Sequence, residues 1–251
     1  MAYFSHLNTK PLRNAMYLNS FHQLDNQTIT ITPQQASRFA KEVAQDFNPL
    51  HDPESKRFCV PGDLLFALVL ANQGLSKKMV FNYTGMVGQG VSLDVPNDTG
   101  NEFKVTDNNG KEYLNVSREG DTTKDMALIE AFTRAYVAFS GHSFPHILVP
   151  LMKDNNVMIN PARPMVIYES MAFEFDRLDL TAPTLKFDNS DLDVQGKRGT
   201  VTLNFHVVDN GETVGYGHKT MVLSGLREFD EEQVQKLVDV YEATKANYQT
   251  S

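Results

Sequence analysis

The chain has 251 residues, 41% hydrophobic and 22% charged, enough for one large globular core or two modest ones. With 31 acidic residues against 23 basic ones its net charge is −8, which speaks against a nucleic-acid face or docking on anionic lipid, since both need a basic surface. No apolar run approaches the ~20 residues of a membrane span, MAYFSHLNTKPLRNAMYLNS has no apolar core of leader length, and the single cysteine, Cys59, excludes an internal disulfide and fits a reducing cytoplasm.

Along the chain, QTITIT (27–32) alternates, placing Ile29 and Ile31 on one side of a short half-buried strand. Thr32-Pro33 then predicts a helix start, with Thr32 as cap, Pro33 at the first helical position and Gln35 completing a capping box. Ala36, Phe39, Ala40, Val43 and Phe47 recur at helical spacing and predict a buried face, and Pro49 is expected to end the helix. Asp52-Pro53 repeats the signal and predicts a second, short helix. After Pro61-Gly62, DLLFALVLANQG reads as a helix apolar on all sides, hence buried on all sides, ending near Gly74. Strands are expected around 80–95, 101–107 and 111–117, the last two joined by a tight turn at Asn109-Gly110.

The second half follows the same order. DMALIEAFTRAYVAF predicts an amphipathic helix over about 125–139, then come SGHSFPHILVP and a further short helix. Strands follow near 164–175 and 183–190. A hairpin then alternates through Val201, Leu203, Phe205 and Val207, turns at Asn210-Gly211 and returns over 213–223. Phe39 and Phe132, Pro49 and Pro145, and Gly110 and Gly211 lie 93, 96 and 101 residues apart, consistent with a unit made twice. The tail from Asp230 predicts a last helix with Val234, Leu237, Val238 and Tyr241 on its apolar face and acids at its start.

A buried helix wrapped by an antiparallel sheet, made twice, is an α+β layout of the tandem hot-dog kind. The boundaries expected are 1–120 for the first unit, 121–228 for a second, degenerate unit and 229–251 for the C-terminal helix. The seven histidines are scattered without zinc spacing, and GMVGQG (85–90) lacks the helix and lysine of a phosphate loop, so no metal site is expected.

One stretch carries candidate chemistry. DFNPLHDP (46–53), behind its strand and helix, resembles the signature of the MaoC-like, or type-2, enoyl-CoA hydratases: Asp46, Asn48, Pro49 and His51 match position by position. The hairpin 199–223 is similar to the closing hairpin of such domains. The resemblance implies an (R)-specific hydratase, a hydro-lyase of fatty acid metabolism acting on acyl-CoA or acyl-carrier-protein thioesters, with coenzyme A as part of the substrate and no resident cofactor. Asp46 and His51 would hold and deprotonate the attacking water, Asn48 and Pro49 would brace the turn, and the Gly62 N–H at the start of the buried helix would meet the thioester oxygen.

The chain departs from that pattern in three ways. Pro61 stands where the family has histidine, the segment from His51 to Gly62 is short, and Ala67 stands near the place of a common serine. In the second copy His142, Phe144 and Ile147 fall where Asp, Asn and His would be, so one site per chain is expected, with His142 and His146 structural. Two other functions stay open: a non-catalytic binder of acyl groups or small ligands, and a thioesterase using Asp63, a residue that also suits a helix cap. Lys56 with Arg57, and Lys77 with Lys78, are candidates for thioester phosphates or a solvated face. Two units in one chain already supply what a single-unit relative gains by pairing, which leaves a further homodimer open.

Overall fold

The computed structural model describes residues 16–96 and 100–249. The segment read for a leader falls mostly in residues 1–15, outside the described residues.

QTITIT folds as its alternation requires. Strands β1 (Gln23–Asp25) and β2 (Thr28–Thr30) pair antiparallel, with Ile29 and Ile31 buried. Thr32 caps helix α1 (Pro33–Arg38) through a complete capping box: the Gln35 N–H donates to Thr32 Oγ1 at 3.2 Å, and the Thr32 N–H donates to Gln35 Oε1 at 3.0 Å.

The rest of this helix differs from expectation. From Phe39 to Ala44 it winds as a π-helix, whose wider turn shifts the buried stripe, so Ala44 is sealed and Val43 only partly covered. It ends at Gln45, which adopts the left-handed conformation (φ +53°), four residues before Pro49. The short helix expected after Asp52-Pro53 is absent, and only turns follow. A one-turn 3-10 helix forms earlier, at Pro49–His51, because Asn48-Pro49 supplies the cap and proline first. The Asp52 carboxylate is instead held by Lys41 Nζ at 2.7 Å.

Helix α2 (Gly62–Gln73) is buried along nearly its whole length, as an all-apolar helix must be. It leads into β3 (Leu75–Tyr83), β4 (Ser92–Asp94), β5 (Glu102–Asp107) and β6 (Glu112–Thr123). The β5–β6 turn is longer than a two-residue hairpin. Asp107 Oδ1 accepts from the N–H groups of Asn109 and Lys111, and only Gly110 takes positive φ. Asp125 caps α3 (Met126–Gly141), followed by α4 (Leu148–Asp154), β7 (Val157–Met158), β8 (Val166–Phe175), β9 (Thr184–Gln195), β10 (Arg198–Asp209) and β11 (Glu212–Ser224). Here the Asn210-Gly211 turn is the tight kind, with both residues at positive φ. β12 (Arg227–Glu228) pairs with β7, and α5 (Glu231–Gln249) closes the described chain.

Ten strands form one antiparallel sheet in the order β1-β2-β4-β5-β6-β3-β8-β11-β10-β9. The seam is β3 against β8, where two would-be edges satisfy each other. Outward from it the strands run β6, β5, β4 on one side and β11, β10, β9 on the other, the same order twice. This is an α+β hot-dog fold in tandem form. Its halves are unequal: α2 has 12 residues and α4, its counterpart in chain order, has 7, while α3 packs beside α2. The core there is aromatic, with the Phe66 ring edge-on to Phe81 at 5.2 Å and Phe132 edge-on to Phe173 at 5.1 Å. No described helix is long and apolar enough to cross a membrane.

Candidate functional site

The motif turn is built by its own side chains. Once Gln45 breaks the helix, Asp46 Oδ1 accepts from the Asn48 N–H at 2.9 Å, and Asn48 Oδ1 accepts from the Leu50 N–H at 3.1 Å to cap the 3-10 turn. Asn48 therefore spends its carbonyl oxygen on the backbone. That turn swings His51 back beside Asp46: Nε2 lies 3.6 Å from Oδ2, and His51 Nδ1–H donates to the Cys59 carbonyl at 2.8 Å. The imidazole is buried and the carboxylate partly so.

The charge state follows from this geometry. Burial alone would push the His51 pKa down, but Asp46 at one ring nitrogen and Cys59 at the other outweigh it and raise it to about 10. Burial likewise works against the Asp46 carboxylate, yet His51, the Asn48 N–H and the more distant Lys219 leave its pKa below the usual value. Both shifts favour the imidazolium–carboxylate form of the pair at neutral pH.

Both groups line one cavity of ≈ 300 Å³, together with Asn48, Pro61 and Gly62. Gly62 opens α2, and its N–H and that of Asp63 carry no backbone partner, as at any helix start. The peptide is held from behind, because Tyr83 Oη–H donates to the Gly62 carbonyl at 2.9 Å. A larger residue there would push two rings aside, since a Cβ would lie 2.8 Å from Tyr168 Cδ1 and 3.1 Å from Tyr83 Cε1. Pro61 walls the cavity without closing it off from His51.

Much of the remaining lining comes from the second half, Ser140 and Lys219 included. Lys219 on β11 and Ser140 on α3 meet Asp63 of α2: Ser140 Oγ–H donates to Asp63 Oδ2 at 2.6 Å and accepts from Lys219 Nζ in a short contact. Asp63 thus does not cap its helix. Burial raises its pKa, against the pull of Lys219 and Ser140. A signal for Lys219 was present, since it shares the inward parity of β11 with Gly217 and Met221. Ser140 offered none.

Helix α5 covers the motif from outside. Tyr241 stacks edge-on against Phe47 at 5.9 Å and Phe144 at 5.1 Å, and with Leu237 and Val240 it lines the cavity. Lys56, Arg57, Lys77 and Lys78 are not in the lining, and Lys78 faces Glu119 and Glu174 at 3.6 and 3.9 Å. His142 is structural, donating to the Ala138 carbonyl, whereas His146 is exposed. Among the described residues no group of three His, Cys, Asp or Glu is placed to hold a metal ion.

A family model described as "Protein of unknown function (DUF3581)" matches residues 16–232. The chain belongs to that family. No curated protein matches. Among solved structures, this DUF3581 chain is similar to the full-length peroxisomal multifunctional enzyme type 2 from Drosophila melanogaster, at 15% identity and a TM-score of 0.41 over 77% of this chain. It spans about half of that enzyme's length, 47%. It is similar to an acyl-CoA thioesterase II from Mycobacterium marinum at 10% identity and a TM-score of 0.39, covering 86% of this chain and 98% of that one. A MaoC-like dehydratase matches at 9% identity and a TM-score of 0.40, covering 82% and 98%.

Proposed function

We propose that the chain hydrates an enoyl thioester, as a divergent tandem relative of the MaoC-like hydratases working in the cytoplasm. The observation that carries this reading is the 3.6 Å approach of Asp46 Oδ2 to His51 Nε2 on the wall of a cavity that Gly62 and Asp63, at the start of α2, also line. Proton accounting follows from the ionised pair. A water beside Asp46 adds through oxygen to the β-carbon and gives its proton to the carboxylate. The π electrons shift onto the thioester oxygen, where the Gly62 N–H and the α2 dipole stabilise the charge. The imidazolium of His51 protonates the α-carbon, and Asp46 then returns its proton to His51. One water is consumed and both residues regain their starting states.

The test is loss of conjugated-thioester absorbance with crotonyl-CoA. Asp46→Asn and His51→Ala are each expected to lower the rate by about 10²–10⁴-fold, the usual worth of a positioned acid or base. Equal rates in all three proteins would remove the site. No turnover in the wild type, with a ligand-induced rise in melting temperature, would leave a binding protein. Release of free thiol from a saturated acyl-CoA would point instead to a thioesterase at Asp63, whose Oδ1 has no partner.

A further inference from the structure

The cavity contains a second polar cluster that hydration does not use. Lys219, Ser140 and Asp63 are only 5%, 2% and 5% exposed, and all three line the cavity. Ser140 spends its hydroxyl hydrogen on Asp63 and takes one N–H from Lys219. The ammonium also sits over the face of the Tyr168 ring, 4.2 Å from its centre. Among the described residues no carboxylate comes within ion-pair distance of it, so donor capacity is left over. Asp63 Oδ1 is fully buried and accepts from nothing. A buried ammonium with spare donors beside a buried orphan carboxylate oxygen is costly unless something polar completes the set.

We infer that Lys219, Ser140 and Asp63 form a subsite for a hydroxyl group carried by the acyl chain of the ligand. A hydroxyl oxygen accepts from Lys219 Nζ while its hydrogen goes to Asp63 Oδ1, so one small neutral group answers both needs. A ligand carboxylate would satisfy the lysine but be repelled by Asp63. An amine would do the reverse. A plain hydrocarbon would leave both unsatisfied. This subsite depends on acyl-thioester binding at Asp46 and His51, but it reads a hydroxyl already present on the chain, distinct from the one that hydration adds.

The experiment is calorimetric titration of the intact protein with acyl-CoA esters of four, five and six carbons, each beside its ω-hydroxy counterpart. At least one hydroxylated ester is expected to bind about tenfold or more tightly than its parent, because a site built around a hydroxyl penalises the analogue that lacks it. Lys219→Met and Asp63→Asn are each expected to bring that ratio towards one. Equal affinity within all three pairs, with crotonyl-CoA still hydrated, overturns the subsite alone and would mean that water fills it. A preference that survives both substitutions overturns it as well. Failure of every ester to bind removes the thioester reading and the subsite together.

Discussion

Substituting Gly141 by alanine tests whether the motif turn and the second half are packed as described. Gly141 is the last residue of α3, away from positive φ, so helix propensity alone predicts that alanine stabilises by up to about 1 kcal/mol. The packing predicts the opposite. An added Cβ would lie 1.8 Å from the Ala44 carbonyl oxygen, 2.8 Å from its carbon and 3.2 Å from the Asp46 nitrogen. All three atoms are backbone, so no side chain can swing aside. Restoring even a 3.0 Å contact requires moving the two segments apart by 1.2 Å, the difference between 3.0 and 1.8 Å. Overpacking of this kind costs about 1–3 kcal/mol or more, which for a chain of this size lowers Tm by roughly 2–12 °C. Urea unfolding of Gly141→Ala beside Gly88→Ala, where nothing lies within 4 Å, gives the comparison. The control is expected within about 0.5 kcal/mol of wild type. A Gly141→Ala protein as stable as wild type would refute the packing of α3 on the π-helix. Because Asp46 follows that contact directly, the variant is also expected to lose hydratase rate.

Other expectations follow from single observations. The folded His51 pKa, about 10, lies above the free value of 6.5, so its stabilisation is complete below about pH 6.5 and lost as pH rises through 10. Asp46 is depressed, so its contribution is present above its free value of 3.8 and lost as pH falls through the folded one. Tm is therefore expected to hold between these limits and to decline on the alkaline side, with a smaller alkaline decline in His51→Ala; identical alkaline slopes would contradict the pairing. Thr32→Ala removes a capping-box acceptor and should cost about 1 kcal/mol in urea unfolding. Tyr241→Ala removes the ring wedged between Phe47 and Phe144 and should cost about 2–4 kcal/mol, with faster proteolytic cleavage within α5.

The amino-acid order determined by itself whatever depends on neighbours along the chain. The Thr32 cap, the all-apolar α2 and the alternating β10–β11 hairpin with its Asn-Gly turn are local patterns, and each formed where its pattern lay. The DFNPLHDP turn was legible for the same reason, because Asp46, Asn48 and His51 bond within a few residues of one another. Small local energies stayed hidden, as in the π-winding after Phe39 and the helix end at Gln45. Tertiary structure alone decided what lines the cavity. Ser140 lies 77 positions from Asp63 and Lys219 lies 79 from Ser140, and no periodicity links them. They meet because β3 and β8 zip two halves into one sheet, laying α2 against α3 and turning the inward lysine of β11 towards both. A buried charge on a strand can be suspected from its parity, but its partners are chosen by how the layers stack.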